Sequence, residues 1–270
     1  MSSSILLVGC GNMGFAMLKG WLGAMADLTV HVVEPDKALA DRAAAAGAIA
    51  VADAGDLPGD LRPELVFLAV KPQMMGKVVP GYARFAGGAS TFVSVAAGTT
   101  IATLAHHLPG PTPIIRCMPN TPAAIGAGMM VCCANAHVTG EARALVEKLL
   151  STSGLVDWIE DEALMDAVTA ISGSGPAYVF HMIECLSDAG MALGLAQDLA
   201  AKMAMQTVMG AGRLAAEAED SPARLREQVT SPGGTTAAAL SVLMRGDRLK
   251  KLIGEAATAA RDRGAELSRE

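Results

Sequence analysis

Two short stretches of this sequence have the composition of binding sites for negatively charged groups. The first is "GCGNMG" at residues 9–14, in which glycines satisfy the pattern G-x-G-x-x-G. The second is "VTSPGGTT" at residues 229–236, which combines a proline, two glycines and four hydroxyl side chains without a lysine or arginine. A glycine turn before a helix exposes backbone N–H groups, and such groups bind anions without a cationic side chain. The residues alone leave a second interpretation of 229–236 open, an ordinary helix N-cap.

The glycine pattern lies between an apolar run, "ILLV" at residues 5–8, and a helix-like segment. A further apolar run, "TVHVV", follows at residues 29–33. In this order the glycines let the backbone approach a pyrophosphate while the helix N-terminus faces the phosphates. The pattern by itself would also fit a glycine-rich turn. Its context predicts a dinucleotide site formed by Gly9, Cys10, Gly11, Asn12, Met13 and Gly14.

Glu34 ends the second apolar run, twenty residues after Gly14. A carboxylate at this place accepts hydrogen bonds from the ribose hydroxyls and repels a 2′-phosphate. We therefore expect NAD(P)H as the cofactor, with Glu34 favouring NADH over NADPH. Two observations leave this open: Lys37 and Arg42 lie close enough in sequence to accept a phosphate, and Glu34 could be a solvent-facing carboxylate.

Strand-like and helix-like segments alternate along the first part of the chain, which predicts an α/β fold with a doubly wound, parallel, Rossmann-type sheet. Ligands bind beyond the carboxyl ends of such strands, so the loops at 69–73, 94–100 and 116–128 are expected to border the cofactor. The expected strands are 5–8, 29–33, 65–70, 90–95, 113–116, 129–134 and 155–159, and the expected helices are 36–47, one from about 73, 99–107 and 139–152.

From about residue 161 the strand-like runs stop, and apolar residues recur at helical spacing. The sequence thus predicts a dinucleotide-binding domain at 1–160 and an all-α domain at 161–270. Helices that are apolar on more than one side bury both sides, so we expect the second half to form a homo-oligomer. Its methionines are interpreted as core residues. The helical pattern is clearest at Tyr178, Val179, Met182, Ile183 and Leu186.

The composition excludes several classes of protein. A formal net charge of −6, 3% aromatic residues and no basic run argue against nucleic-acid or anionic-membrane partners. No apolar stretch reaches membrane-spanning length. Five cysteines without CxxC spacing indicate buried thiols in a reducing compartment, so a cytoplasmic protein is expected. The scattered histidines predict no metal site, and no nucleophile motif is present, so the cofactor is expected to carry the chemistry.

The motifs together resemble one enzyme family. "LLVGCGNMG", "AVKP", "SVAAG", "RCMPNTP", "AISGSGPAY" and "VTSPGGTT", in this order and spacing, are similar to the pyrroline-5-carboxylate reductases over nearly the whole chain. The resemblance implies reduction of 1-pyrroline-5-carboxylate to L-proline with NAD(P)H, the last step of proline biosynthesis. It also implies that the helical domain binds substrate and interlocks two subunits in a homodimer, with residues of both in each active site. Larger rings of dimers occur in the family.

The resemblance also assigns site residues. It implies that Thr236 hydrogen-bonds the ring nitrogen of the substrate and that Ser231 lies near it, while the backbone at Gly233, Gly234 and Thr235 holds the carboxylate. Glu219 and Glu162 match acidic positions near the substrate, although both could be surface carboxylates. The cofactor residues implied in addition to the glycine loop and Glu34 are Ala69, Val70, Lys71, Pro72, Ala96, Ala97, Gly98 and Asn120.

Two departures from the family put details in doubt. The family often carries serine or threonine where Glu34 stands, and asparagine where this chain has Ala54. Three alternatives remain at this stage. A reductase of another cyclic imine would use the same pocket, a β-hydroxyacid dehydrogenase would need a lysine that the helix at 177–193 lacks, and a dinucleotide sensor would not need residues 231–236.

Overall fold

The computed structural model of the chain describes residues 3–267. The chain divides into two compact units. The first comprises Met1–Gly173 together with Ala260–Glu270, and the second comprises Ser174–Ala259.

An eight-stranded mixed sheet with the strand order β3-β2-β1-β4-β5-β6-β7-β8 forms the centre of the first unit. Strands β1 to β6 are mutually parallel. On one side of β1 the sheet continues with β2 and β3, and on the other side with β4, β5 and β6, so the topological switch point lies between β1 and β4. The loops that follow β1, β4, β5 and β6 consequently leave the sheet at one edge. The strands are β1 Ser3–Val8, β2 Leu28–Val33, β3 Ile49–Val51, β4 Leu65–Leu68, β5 Thr91–Ser94, β6 Ile114–Met118, β7 Gly128–Ala134 and β8 Gly154–Trp158.

Helices and helical turns cover both faces of this sheet. The central strands are buried on both sides, which explains their continuous apolar composition. On one face Trp21 of the first helix packs on Phe67 of β4 with ring centroids 4.6 Å apart. The α-helices of this part are α1 Asn12–Ala24, α2 Lys37–Ala45, α3 Met75–Val78, α4 Ile101–His107, α5 Gly140–Leu150 and α6 Met165–Val168, the last followed by a π-helical turn, Thr169–Gly173.

The remaining helices are α7 Gly175–Ala192, α8 Gln197–Glu217, α9 Pro222–Gln228, α10 Thr235–Met244 and α11 Arg248–Leu267. Helices α7 and α8 pack against each other. Within the second unit the buried hydrophobic residues are small, Ala200 and Ala204, whereas many large apolar side chains are exposed. The exposed ones include Val179, Phe180, Met182, Leu186, Met203, Met205, Met209, Leu243 and Met244.

The expected fold class is confirmed, with one correction to the sheet. The strand expected at 129–134 was predicted to extend a parallel sheet, but β7 runs antiparallel to β6. The connection between them, residues 119–127, is shorter than the crossover of about a dozen residues that a parallel pair needs. Strand β8 pairs in parallel with β7, after the intervening helix α5.

Other local expectations differ in smaller ways. The short edge strand β3 was not expected, because "IAV" lies in an alanine-rich run. The helix expected from 73 is a short α-helix between two 3₁₀ turns, Pro72–Met74 and Val79–Phe85. Cys185 is exposed, contrary to the expectation of buried thiols; the other four cysteines are buried and all five are free. No helix among residues 3–267 is long and apolar enough to cross a membrane.

Candidate functional site

The glycine loop between β1 and α1 has the geometry of a phosphate-binding turn. Gly9 has a φ of +86°, and a Cβ there would lie 2.8 Å from the carbonyl oxygen of Ala69. A Cβ on Gly14 would lie 2.5 Å from the carbonyl oxygen of Gly9. By contrast, a Cβ on Gly11 meets nothing within 4 Å, so space is open at the N-terminus of α1. The loop therefore fits a dinucleotide pyrophosphate, which needs close backbone approach and a helix N-terminus.

Glu34 is tied to this loop. Its side chain is not solvent-facing, because the residue is only 7% exposed. Oε2 accepts the backbone N–H of Cys10 at 2.7 Å, and Oε1 accepts the N–H of Asp36 at 3.0 Å. Each carboxylate oxygen can accept further hydrogen bonds, so these contacts leave acceptor capacity for ribose hydroxyls.

The two cations that could have accepted a 2′-phosphate have other contacts. Arg42 donates from Nη2 to the carbonyl oxygen of Cys10 at 2.8 Å, and its guanidinium stacks 4.1 Å from the ring centroid of Phe15. Lys37 pairs with Asp41 at 2.7 Å in a largely exposed ion pair, which contributes little. Arg42 thus holds the carbonyl side of the glycine loop, a role that the spacing of the sequence did not reveal.

Cys10 lies inside the loop as a neutral thiol. Burial is the main cause that raises its pKa from 9.0 to about 11; Arg42 opposes this rise and Glu34 adds to it. The thiol is therefore protonated near neutral pH and adds no negative charge where phosphates are expected.

The loop after β4 lies directly beside the glycine loop. The N–H of Ala69 donates to the carbonyl oxygen of Val8 at 2.8 Å, and the Val70 side chain would lie 2.9 Å from a Cβ on Gly9. Lys71 and Pro72 follow at the start of a 3₁₀ turn and are exposed. The structure thus brings residues 69–70 to the glycine loop, as expected for two loops at one sheet edge.

The loop after β5 carries Ala96, Ala97 and Gly98. Gly98 has a φ of +73°, and a Cβ there would lie 3.6 Å from the Cβ of Leu267, near the end of α11. Ala96 donates its N–H to Oγ of Ser94 at 3.3 Å. The loop ends at Thr100, whose hydroxyl caps α4 by accepting the N–H of Thr103.

Asn120 follows β6 and uses its side chain within the protein. Nδ2 donates to the carbonyl oxygen and the hydroxyl of Ser172 at 3.2 and 3.3 Å, and Oδ1 accepts the N–H of Met129 at 2.9 Å. It therefore fixes the connection between β6 and β7. Its expected place at the cofactor pocket stays a prediction.

Glu162 also has partners inside the first unit. Its Oε1 lies 3.0 Å from Nη1 of Arg116, a residue of β6 that is 4% exposed. The same oxygen accepts the N–H of Ile101, the first residue of α4, at 2.8 Å. Asp166 lies 4.0 Å from Nη2 of the arginine. Arg116 was not predicted from the sequence as a site residue. Its place inside "RCMPNTP" was the one signal that pointed to it.

Residues 229–236 form the connection between α9 and α10 in the second unit. Gly234 donates its N–H to the carbonyl oxygen of Ser231 at 3.0 Å, which closes a tight turn, and Gly233 has a φ of +70°. Gly234 is the N-cap of α10, and no side chain in the described chain caps that helix. A Cβ on Gly234 would lie 2.7 Å from Oγ and 3.2 Å from the carbonyl oxygen of Ser231, so a larger residue would crowd the turn. The turn resembles an anion site more than an ordinary side-chain cap.

Thr235 and Thr236 are the first two residues of α10. Their N–H groups belong to the first turn, where the helix itself offers no acceptors. Glu219 is exposed in the link between α8 and α9, next to Asp220, which accepts a hydrogen bond from Gln228 at 2.6 Å. That bond connects the link to the last residue of α9, just before the turn.

Among residues 3–267, no group of three or more histidine, cysteine or acidic side chains is arranged to hold a metal ion.

Comparisons with known proteins agree with this geometry. Residues 162–267 match the family "Pyrroline-5-carboxylate reductase dimerisation", and residues 4–98 match "NADP oxidoreductase coenzyme F420-dependent". The pyrroline-5-carboxylate reductase of Pseudomonas aeruginosa is 39% identical over 274 residues, covering 98% of this chain and 96% of the relative.

Solved structures are similar over the same length. A pyrroline-5-carboxylate reductase from Coxiella burnetii has a TM-score of 0.92 and 35% identity and covers 99% of both chains. The pyrroline carboxylate reductase of Plasmodium falciparum, solved with NADP bound, has a TM-score of 0.83 and 27% identity and covers 98% of both chains.

Proposed function

The chain belongs to the pyrroline-5-carboxylate reductase family, and we propose that it reduces 1-pyrroline-5-carboxylate to L-proline with NAD(P)H. The observation that carries the proposal is the N-terminus of α10. There a glycine turn without a side-chain cap opens a helix, in a chain whose other unit has a glycine loop that fits a dinucleotide. A small anionic substrate and a nicotinamide cofactor are the ligands that these two features suit.

In the proposed reaction the turn at Gly233 and Gly234 and the first residue of α10, Thr235, bind the substrate carboxylate through backbone N–H groups that the turn leaves free, while the N–H of Gly234 itself closes the turn onto Ser231. This contact fixes one end of the ring without a cation that would repel a protonated imine. The hydroxyl of Thr236 orients the ring nitrogen, and Ser231 lies at the turn beside it. Orientation and pre-placed dipoles are the contributions that a neutral hydroxyl can make.

The overall step balances as one protonated imine, one NAD(P)H and one further proton giving one zwitterionic L-proline and one NAD(P)⁺. The bound reduced nicotinamide supplies the hydride, with both electrons, to the imine carbon. The nitrogen gains the proton from solvent. Because a protonated imine is strongly electrophilic, no strong acid of the protein is required. Glu219 is exposed and close in sequence to α9, and we keep it as a candidate that favours the protonated imine electrostatically.

For the cofactor we propose contacts from the glycine loop, from Ala69, Val70, Lys71 and Pro72, and from Ala96, Ala97, Gly98 and Asn120. We also propose a preference for NADH. Glu34 supports it because its buried carboxylate stands at the carboxyl end of β2, and because Arg42 is already bonded to the glycine loop. A 2′-phosphate at this place would meet negative charge from Glu34.

For the assembly we propose a homodimer formed through the helical part of the chain, with a cytoplasmic location. Isolated, the second unit exposes methionine, leucine and phenylalanine side chains to water. Exposed apolar surface of this extent marks a protein interface. The proposal extends to the assignment of 1–160 as the dinucleotide-binding domain and 161–270 as the dimerisation and substrate-binding domain. We further propose that such dimers assemble into a larger ring.

The decisive experiment mixes the purified protein with 1-pyrroline-5-carboxylate and either NADH or NADPH. Loss of reduced-nicotinamide absorbance should match the formation of L-proline mole for mole. A six-membered cyclic imine with the same carboxylate serves as the competing substrate. Turnover of that imine alone would replace the proposed substrate, and no turnover with either imine would reject the function.

A further inference from the structure

Arg116 and Glu162 form a buried ion pair in the first unit whose use the proposed reaction does not explain. The Arg116 side chain is 5% accessible and that of Glu162 is 27% accessible, with Nη1 and Oε1 3.0 Å apart. A guanidinium so deeply buried is tolerated only with charged or polar partners around it. Asp166, at 4.0 Å from Nη2, adds a second negative charge.

The pair spans the base of the loop that carries Ala96, Ala97 and Gly98. At one end of the loop, Ser94 is the sheet partner of Arg116 in the register of β5 and β6. At the other end, the N–H of Ile101 donates to the same Glu162 oxygen that contacts Arg116. The two ends of the loop are therefore connected through one arginine and one carboxylate.

The path of the loop depends on Gly98 and on its attachment to α4. Gly98 has a left-handed φ of +73°, which glycine adopts without strain. The N–H of Ile101 belongs to the first turn of α4, where the helix offers it no acceptor, and Glu162 supplies one. Moving the Glu162 carboxylate would therefore shift the point at which the loop enters α4.

We propose that Arg116 and Glu162 are positioning residues for the cofactor, acting through the loop from Ala96 to Gly98, and that Glu162 does not bind the substrate. This inference rests on the proposed function in one respect only, the placement of that loop at the nicotinamide. It assigns to the pair a role in cofactor affinity and orientation, distinct from direct contact with the substrate.

The test uses Glu162→Gln in the full-length protein. Glutamine keeps an acceptor for the Ile101 N–H but removes the charge opposite Arg116. Glu160→Gln is the matched control, because Glu160 is 92% exposed and lies 3.9 Å from its partner Arg143. Binding of NADH is measured by fluorescence titration without substrate, and KM for both substrates and thermal stability are measured in parallel.

We expect Glu162→Gln to weaken NADH binding by about tenfold, since small displacements of positioning groups cost large factors. The KM for the imine should change less than about twofold, and the control should match the parent protein in every measurement. A raised imine KM with unchanged NADH affinity would place Glu162 at the substrate and overturn the proposal. Lower thermal stability with unchanged NADH affinity would also overturn it, as a purely structural role.

A paired variant, Arg116→Met with Glu162→Gln, covers the case in which the single variant does not fold. It removes the buried cation together with its main partner, so less unpaired charge remains inside the protein. The proposal expects a folded protein with weakened NADH binding, and parent-like affinity would contradict it. Because NADH binding is measured without an imine, failure of the proposed reaction would appear separately, as inactivity of the parent protein.

Discussion

The backbone N–H of Cys10 donates a 2.7 Å hydrogen bond to Oε2 of Glu34. This bond joins the first turn after β1 to the carboxyl end of β2, the strand beside it. One carboxylate therefore shapes the glycine loop and also presents negative charge where the adenine-side ribose is expected. Arg42 holds the opposite side of the same loop through the carbonyl oxygen of Cys10.

Glu34→Gln should shift the cofactor preference. The amide oxygen keeps one acceptor, for the Cys10 N–H, gives up the bond from the Asp36 N–H, and removes the charge that would repel a 2′-phosphate. The ratio of kcat/KM for NADPH to that for NADH should rise by about tenfold, equivalent to ~1.4 kcal/mol. Glu64→Gln, at an exposed carboxylate just before β4, is the control and should leave the ratio unchanged. A ratio unaffected by Glu34→Gln would remove this residue from cofactor choice.

Thr236→Ala should lower kcat/KM for the imine by about ten- to a thousandfold, because it removes the hydroxyl expected to orient the ring nitrogen. Thr236→Ser should restore most of the rate. Ser241→Ala is the matched control on the same helix, since the Ser241 hydroxyl bonds only locally, to the carbonyl oxygen of Ala238. Steady-state kinetics at saturating NADH measure all three. Equal rates in the alanine variant and the parent would exclude a role for this hydroxyl.

Met182→Glu combined with Leu186→Glu should prevent association. Both residues are exposed on α7 in the single chain, at 40% and 42%, so an interface that covers the remaining area gains about 1 kcal/mol from each, and a glutamate there adds the cost of burying a charge. Light scattering should then give the mass of one chain, 27.5 kDa. Ile49→Glu, at an exposed apolar residue of β3, should keep the mass of the parent assembly. A parent protein that is already monomeric would refute the interface.

Stability should fall in mildly acidic solution because of His31. The residue is 8% exposed, and its Nδ1 is buried without a hydrogen-bond partner in the described part of the chain. Burial lowers its pKa from 6.5, so the unfolded chain binds a proton more readily than the folded one. The stability that the neutral His31 side chain contributes is fully present above pH 6.5 and is lost as the pH falls below that value.

Urea unfolding of the parent and of His31→Gln between pH 5 and 8 measures this effect. The parent should lose stability toward pH 5 by more than the variant does. His137→Gln, at an exposed histidine, should follow the parent curve. Parallel curves for His31→Gln and the parent would show that another group causes the loss.

The sequence predicted the parts of the molecule that depend on local pattern. The apolar runs at β1, β2, β4 and β5 and the glycines of the first loop were recognisable because burial on both faces and close backbone approach restrict residue type directly. The reversal at β7 was not foreseen, since "MMVCCA" is equally suited to either strand direction. Only the shortness of the preceding connection carried a signal.

The contacts that hold the loops join residues that are far apart in sequence, and a local sequence pattern cannot predict such pairs. Arg116 and Glu162 are 46 residues apart, and Cys10 and Arg42 are 32 apart. Each of these residues would be equally acceptable on the surface. Their partners follow from the strand order, which places β6 beside β5 and the glycine loop beside α2. The turn at residues 231–234 could be found from its own residues, because Gly233 has a φ of +70° and a Cβ on Gly234 would crowd Ser231.

The closeness of Leu267 to Gly98 matters for where the protein can be labelled. Leu267 is the last residue of α11, and a Cβ at position 98 would lie 3.6 Å from its Cβ, so a group attached at 267 would lie close to the loop that precedes α4. Ser3, by contrast, begins β1 at the end of the strand away from the glycine loop. A fluorophore is therefore better attached at Ser3 than at Leu267 when cofactor affinities are compared.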